Sequence, residues 1–390
     1  MDNALLDLRA RTALHQPPWE SEAQLRSVHG ELAERPGLVR AEDLDTLTGL
    51  LARVATGEAY VIQAGDCAED PDECSASDVA RKAAVLDLLA GTLKMITHAP
   101  VLRVGRIAGQ FAKPRSSPTE RVGAVELPVY RGHMVNAPEP DPESRRPDPL
   151  RILTGYMAAR EVMGHLGWSS PQARPVIDPV IWTSHEALLL DYEVPMLRRD
   201  AEGRLFLAST HWPWIGERTR QVDGAHVALL AEVANPVACK VGPGMSPGEL
   251  LALCDRLDPQ RRPGRLTLIA RMGADRVADR LPPLVAAVRE AGHPAIWLSD
   301  PMHGNTVSTP EGVKTRCTET VEREIRAFQE SVVAEGGVAG GVHLETTPND
   351  VRECVSREQS ADRSVGTYTT FCDPRLNPGQ AVSVLTAWRR

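Results

Sequence analysis

Short apolar runs alternate with amphipathic stretches along most of this chain. Eight of the runs read as strands, at 59–63, 100–104, 176–183, 212–216, 236–241, 266–271, 295–299 and 341–344. Apolar runs of this kind suit strands buried on both faces. The segments between them carry helix-start chemistry. Ser246-Pro247-Gly248-Glu249 joins an N-cap, a first-turn proline and a capping-box acid ahead of Leu250, Leu251 and Leu257. Asp148-Pro149 precedes Leu153, Tyr156, Met157 and Met163, which share one helical face, and Thr347-Pro348 opens another such turn. Strands alternating with helices predict a parallel sheet, and eight of them predict a closed TIM (β/α)8 barrel. Residues 1–50 read as a helical, accessory extension broken at Pro17, Pro18 and Pro36, ahead of a barrel domain over 51–390. The Pro- and charge-rich stretch 137–149 reads as a surface connection inside that domain.

Reactive residues collect where these strands end. The first runs into Asp66-Cys67-Ala68-Glu69, the second into Arg106, the fourth into Glu217-Arg218, the fifth into Lys240 and the sixth into Arg271. Asp300 and His303 follow the seventh, the eighth delivers His343 and Glu345, and a last loop holds Cys372-Asp373. In a barrel those ends share one face, where the site belongs. Arg106, Lys240 and Arg271, with Lys113, Arg115 and Arg218 nearby, suit a ligand bearing both carboxylate and phosphate. Cys67, His303, Glu345 and Asp373 form a mixed donor set suited to manganese, iron, cobalt or zinc. Read singly, each has a plainer role: Cys67 as a small core residue, His303 as a turn residue, Glu345 and Asp373 as helix caps. Trp212-Pro213-Trp214 reads as packing near the site mouth, and His165, His185, His211, His226 and His293 as structural or surface residues.

Composition narrows the class. A net charge of -8 argues against a nucleic-acid surface. In such a chain the segment GRIAGQFAKPRSSPTE (105–120), with Arg106, Lys113, Arg115 and Ser116 on a loop past a strand, points to a small anionic ligand. No stretch is apolar enough to span a membrane, since 85–105 is broken by Asp87, Lys94, His98 and Pro100. Seven cysteines without paired spacing, and no signal-peptide pattern, lead us to expect a cytoplasmic protein.

The motifs QAGDCAE (63–69), GRIAGQFAKPRS (105–116), YRGHMVN (130–136), SHEALLLDYE (184–193), WIGERTRQVDGAH (214–226), NPVACKVGP (235–243), GRLTLIARMG (264–273), DPMHGNT (300–306), GGVHLE (340–345) and CDPRLN (372–377) closely resemble type II 3-deoxy-D-arabino-heptulosonate 7-phosphate (DAHP) synthases, in family order. The resemblance implies a TIM barrel that condenses phosphoenolpyruvate with erythrose 4-phosphate and releases phosphate. It implies a divalent metal, manganese or cobalt first and iron or zinc next, on Cys67, His303, Glu345 and Asp373. It implies a phosphoenolpyruvate site at Arg106, Glu217, Arg218, Lys240 and Arg271, with Lys113 and Ser116 for erythrose 4-phosphate. Glu217 or Asp300 is the candidate to handle the attacking water. A homodimer and a chorismate mutase partner are both compatible with the family.

Some features depart from the family. Only 164–185 connects Met163 to Glu186, where members serving primary metabolism carry extra helices that bind aromatic inhibitors, and the N-terminal region is short. Weak or absent feedback by Phe, Tyr and Trp is therefore expected, as in secondary-metabolism members such as those of phenazine clusters. His133 stands where Asp is more usual. Cys372 beside Asp373 is expected to lie near Cys67 and to link to it on oxidation when the metal is absent. The alternatives are an aminoDAHP synthase using a nitrogen-bearing sugar phosphate, and a non-catalytic barrel that binds a partner enzyme; the intact donor set argues against the second.

Overall fold

The computed structural model describes residues 10–123, 125–169, 179–310, 312–357 and 367–389. Eight parallel strands form one sheet: β1 Tyr60–Gly65, β2 Val101–Arg106, β3 Ile181–Ser184, β4 Trp214–Ile215, β5 Val237–Val241, β6 Leu266–Ala270, β7 Ile296–Ser299 and β8 Val338–Glu345. Their spatial order is β3-β2-β1-β8-β7-β6-β5-β4. The ring closes between its two edge strands through Trp212 N to Thr183 O (3.1 Å), Trp214 N to His185 O (3.0 Å) and Ala187 N to Trp214 O (2.9 Å). All eight expected strands are present, although most of the early part of the third expectation lies outside the described residues.

The outer shell follows the βα rhythm, with α1 Glu22–Glu34, α2 Ala41–Ala55, α3 Ala76–Thr97, α4 Leu150–His165, α5 Ala225–Glu232, α6 Pro247–Leu257, α7 Pro282–Glu290, α8 Thr318–Ala334 and α9 Pro378–Leu385. Ser246 and Glu249 form the expected capping box on α6. The turn at Thr347-Pro348 opens no helix; Thr347 and Leu376 instead pair backbone to backbone, which draws the 372–376 loop onto the end of β8. Between β3 and β4 a short hairpin, Leu197–Arg199 with Leu205–Leu207, stands where the rhythm calls for a long helix. There α1 packs on α4 and on the segment around Leu190–Met196. Two further hairpins, Thr119–Val122 with Val125–Pro128 and Thr306–Ser308 with Lys314–Arg316, rise from the loops after β2 and β7.

Side chains alternate inward and outward along each strand, and this alternation builds the site. Ile62, Val342, Leu344, Val237 and Leu268 face outward into a cluster with the surrounding helices. Val104, Ala238, Ile269 and Leu298 join a second cluster with Leu47, Leu51 and Val54 of α2, which plugs the N-terminal end of the barrel. Two residues further along the same strands come Arg106, Lys240, Arg271 and Asp300. The interior is thus apolar at one end and charged at the other. No helix among the described residues is long and apolar enough to cross a membrane.

Candidate active site

Above the charged end of the barrel lies a cavity of about 470 Å³. Lys113, Arg115, Arg218, Lys240, Arg271, Lys314 and Arg316 line it, against Glu120, Glu186, Glu217 and Asp373. A wall with more cations than carboxylates selects anions. Ser116 and His303 line it too. Arg106, Cys67, Glu345 and Asp300 lie buried in its floor. The strand-end residues singled out from the sequence therefore converge on one place.

Two hydrogen-bonded groups share that floor. In the first, Arg106 donates from Nε to Asp66 O (3.2 Å), from Nη1 to His343 Nε2 (2.5 Å) and from Nη2 to Glu345 Oε1 (3.0 Å). One N–H on each terminal nitrogen remains, a fork suited to a phosphate or carboxylate. Trp214 lies beneath, its ring 5.3 Å from the Arg106 guanidinium carbon and 5.8 Å from Lys240 Nζ, and edge-on to His343. The tryptophan expected as packing at the site mouth is thus a buried part of the floor, placed there because β4 turns it inward.

The second group is acidic. Glu345 takes Arg316 Nη1 at 2.8 Å and lies 3.2 Å from His303 Nε2. Asp300 receives Lys240 Nζ at 2.5 Å and His303 Nδ1 at 2.8 Å. Burial opposes the charge on both carboxylates, yet His303 with Lys240 holds Asp300, and His303 with Arg316 and Arg106 holds Glu345, well below the usual range. Burial also pushes Lys240 down to about 8, against the pull of Asp300 and with the repulsion of Arg106.

Ligand atoms of Cys67, Glu345 and Asp373 all lie within 4.8 Å of one another, and the Cys67 thiol is 3.6 Å from Asp373 Oδ2. His303 presents Nε2 to the same place because Asp300 holds its Nδ1, the orientation a metal-ligating imidazole needs. Cys67, Glu345 and Asp373 form the compact group and His303 stands beside it through Glu345, and one sulfur, one nitrogen and two carboxylates so placed fit a divalent ion of borderline softness. The helix-cap alternative does not hold for Glu345 or Asp373, since neither stands at the start of a described helix.

The loops are fixed from outside. Glu324 of α8 accepts Met272 N (3.0 Å) and Gly273 N (2.9 Å), and it also takes Asn305 Nδ2, joining the loops after β6 and β7. Gly304 is required there: a Cβ on it would come within 2.4 Å of Gly273 N. Glu353, fully buried, accepts Thr369 N, Thr370 N and Arg375 N (2.7–3.0 Å), while Arg375 reaches Asp66 at 2.7 Å. The segments carrying Cys67 and Asp373 are thereby tied together.

Several site residues escaped sequence reasoning. Glu186 follows β3 and points a buried carboxylate oxygen that has no partner among the described residues; Gly216 leaves room for it, since a Cβ would sit 2.0 Å from that oxygen. Arg316 and Lys314 come from a hairpin, and no strand end announces them. Lys113 donates to Cys67 O at 2.9 Å, Arg218 to Pro114 O at 3.1 Å and Arg271 to His303 O at 3.0 Å. His133 bonds the Tyr130 hydroxyl (2.6 Å) and Glu69 O (3.2 Å) and packs on Phe371, so it serves as a packing and bonding residue behind the Cys372 loop.

The chain matches the model of the class-II DAHP synthetase family over residues 4–168 and 159–387. It is 58% identical to a probable phospho-2-dehydro-3-deoxyheptonate aldolase of Pseudomonas fluorescens, over all of this chain and 98% of that one. A phospho-2-dehydro-3-deoxyheptonate aldolase of Streptomyces coelicolor is 39% identical, over 95% of this chain and 93% of that one. Among solved structures, a phospho-2-dehydro-3-deoxyheptonate aldolase of Francisella tularensis superposes with a TM-score of 0.55 at 12% identity, covering 95% and 97% of the two chains, a likeness of fold. The chain belongs to the class-II DAHP synthetase family and is an enzyme of the transferase type.

Proposed function

We propose that the cavity condenses phosphoenolpyruvate with erythrose 4-phosphate and water to give DAHP and inorganic phosphate, on a divalent metal held by Cys67, His303, Glu345 and Asp373. The single observation that carries this reading is the compact Cys67–Glu345–Asp373 group, with His303 beside it, at the same barrel end as Lys240 and Arg271 of the cavity wall and the buried Arg106. Manganese or cobalt suits the donors best, with iron and zinc also admitted. A bound ion supplies Lewis acidity at the aldehyde oxygen of the sugar phosphate.

The chain's own groups do the remaining work. The free N–H fork of Arg106, with Lys240 and Arg271, holds the phosphate and carboxylate of phosphoenolpyruvate, and Arg218 stands at the rim. Lys113 and Ser116 receive the sugar phosphate. Holding both substrates fixes carbon 3 of the enol against the aldehyde carbon and neutralises charge that would keep the two anions apart. As carbon 3 bonds to the aldehyde carbon, water adds to carbon 2, and the resulting hemiketal phosphate expels phosphate.

Glu217 is the better candidate to take the proton of that water. Its Oε1 is held by Arg220 at 2.9 Å, while its buried Oε2 has no partner among the described residues, and the Glu186 oxygen, likewise without one there, lines the same wall. Asp300, also a candidate from sequence, is engaged with Lys240 and His303 and serves to orient them.

The test is phosphate release from the two substrates with and without EDTA, then with manganese or cobalt restored. Loss on chelation and recovery with metal are expected; activity that survives rigorous chelation overturns the metal assignment. Repeating the assay with an imino-erythrose 4-phosphate donor separates DAHP from aminoDAHP synthesis.

A further inference from the structure

Residues 10–20, expected as accessory, run across the charged end of the barrel. Arg11 donates to Asp223 O (3.2 Å), and Thr12 O accepts Ala225 N (3.0 Å). Gln16 donates to Leu188 O (2.9 Å) and accepts Leu190 N (3.0 Å), and Trp19 Nε1 reaches Asp191 Oδ2 at 2.7 Å. Between these anchors His15 places Nδ1 3.1 Å from Arg115 O. The arm thus touches the loops that follow β2, β3 and β4, which carry Ser116, Glu186 and Glu217-Arg218.

His15 has φ +59°, a left-handed backbone uncommon for residues other than glycine. Such a conformation is strained and persists only where flanking contacts impose it. Thr12 and Gln16 supply those contacts, and the outcome is an imidazole aimed at one carbonyl. Because a carbonyl only accepts, Nδ1 carries the proton. Burial, with Arg218 close by, lowers the His15 pKa, so the contact adds no cation to an already positive mouth. The same loop is gripped one residue earlier, where Arg218 donates to Pro114 O, and Lys113 N donates to Arg131 O at 2.8 Å.

We propose that His15 is a positioning residue for the sugar-phosphate loop: its imidazole holds the Arg115 carbonyl and so sets Lys113 and Ser116 where the phosphate of the aldose arrives. This rests on the assignment of Lys113 and Ser116 to the sugar phosphate. The contact lies on that loop and not on Arg106, Lys240 or Arg271, so it acts on one substrate.

The experiment compares His15→Gly, His15→Asn and Ser116→Ala in the full chain with metal. Glycine adopts φ +59° freely, so His15→Gly removes the imidazole without forcing the backbone. Asparagine also tolerates that conformation and places an amide N–H near the position of Nδ1. His15→Gly is expected to raise KM for erythrose 4-phosphate about tenfold, the scale of one lost hydrogen bond, with KM for phosphoenolpyruvate and kcat changed less than about twofold. His15→Asn recovers most of that loss. An unchanged KM for the sugar phosphate in His15→Gly, or an equal rise in both KM values, overturns the inference. If Ser116→Ala raises that KM and His15→Gly does not, only the role of His15 fails. If Ser116→Ala has no effect, the loop assignment falls and the inference with it.

Discussion

Arg106 Nη1 and His343 Nε2 meet at 2.5 Å inside the barrel, and the contact dictates where every proton nearby must sit. A guanidinium only donates, so Nε2 accepts and Nδ1 of His343 carries the hydrogen. It donates to Gln63 Oε1 (2.6 Å), Gln63 Nε2 donates to Ser184 Oγ (3.1 Å), and the Ser184 hydroxyl donates to Gly105 O (2.9 Å). Burial, with Lys240 and Arg106 beside it, keeps His343 neutral by holding its pKa well below the usual value. The chain of bonds begins at the backbone of β2 and ends on the arginine at the end of the same strand.

His343→Leu leaves Arg106 short of one partner and Gln63 of another. It is expected to lower stability by about 2–4 kcal/mol and to cut kcat/KM for phosphoenolpyruvate at least about tenfold. His343→Gln, which can accept from Arg106 and donate to Gln63, should keep more of both. Thermal melts with steady-state kinetics check this; equal losses in the two variants would show that ring volume, not the bond, matters.

Lys240, pushed down to about 8, is a cation in the free enzyme below that pH and neutral above it. A pH profile of kcat/KM for phosphoenolpyruvate, which reports the free enzyme, should fall above about pH 8 by up to tenfold per unit. Lys240→Arg keeps its charge and should lose that descending limb. Stability runs the other way. The unfolded chain keeps this proton to about 10.4 while the fold releases it near 8, so this residue makes the fold more stable as pH rises between them. A profile flat to pH 9.5 in the parent enzyme would refute the assignment.

The Cys67 and Cys372 side chains are neighbours, close enough that each shifts the titration of the other. Peroxide should therefore remove two thiols from metal-free protein, forming one disulfide and two waters, and abolish metal binding. Manganese on Cys67 should protect both. Titration of free thiols before and after treatment measures this, with Cys372→Ser as the control that cannot form the link. A thiol count unchanged in the metal-free protein rules the reaction out.

Phe, Tyr and Trp at about 1 mM should leave the rate within about twofold of its uninhibited value, since 164–185 is too short to hold an inserted helical pair of ordinary length. Steady-state assays with each amino acid, alone and in pairs, decide the matter; clear inhibition by any of them removes the expectation.

The barrel was legible because a strand buried on both faces leaves an apolar run, and because a charged residue at its end breaks that run in the same register. Arg106, Lys240 and Arg271 were visible for that reason. Arg316 was not: it rides a hairpin inserted after β7, outside the strand-end rule. Glu186 lies only two residues past β3 within a longer motif, and its importance lies in an oxygen without a partner among the described residues, which only the folded arrangement shows. Asp300 illustrates the reverse case. Its position marked it as reactive, but Lys240 and His303 already occupy both of its oxygens.

The closure between β3 and β4 rests on a few backbone bonds, and the shell there is filled by α1 packed on α4 and on the segment around Leu190–Met196. A helix made early during synthesis thus has its berth in parts of the chain that emerge more than a hundred residues later. It must wait, undocked, while the first strands pair. Contacts of such long sequence separation form late and slow the search for the native state. The last ring bond and the docking of α1 are therefore expected to be one event, so that the enzyme acquires its complete mouth only as its fold is finished.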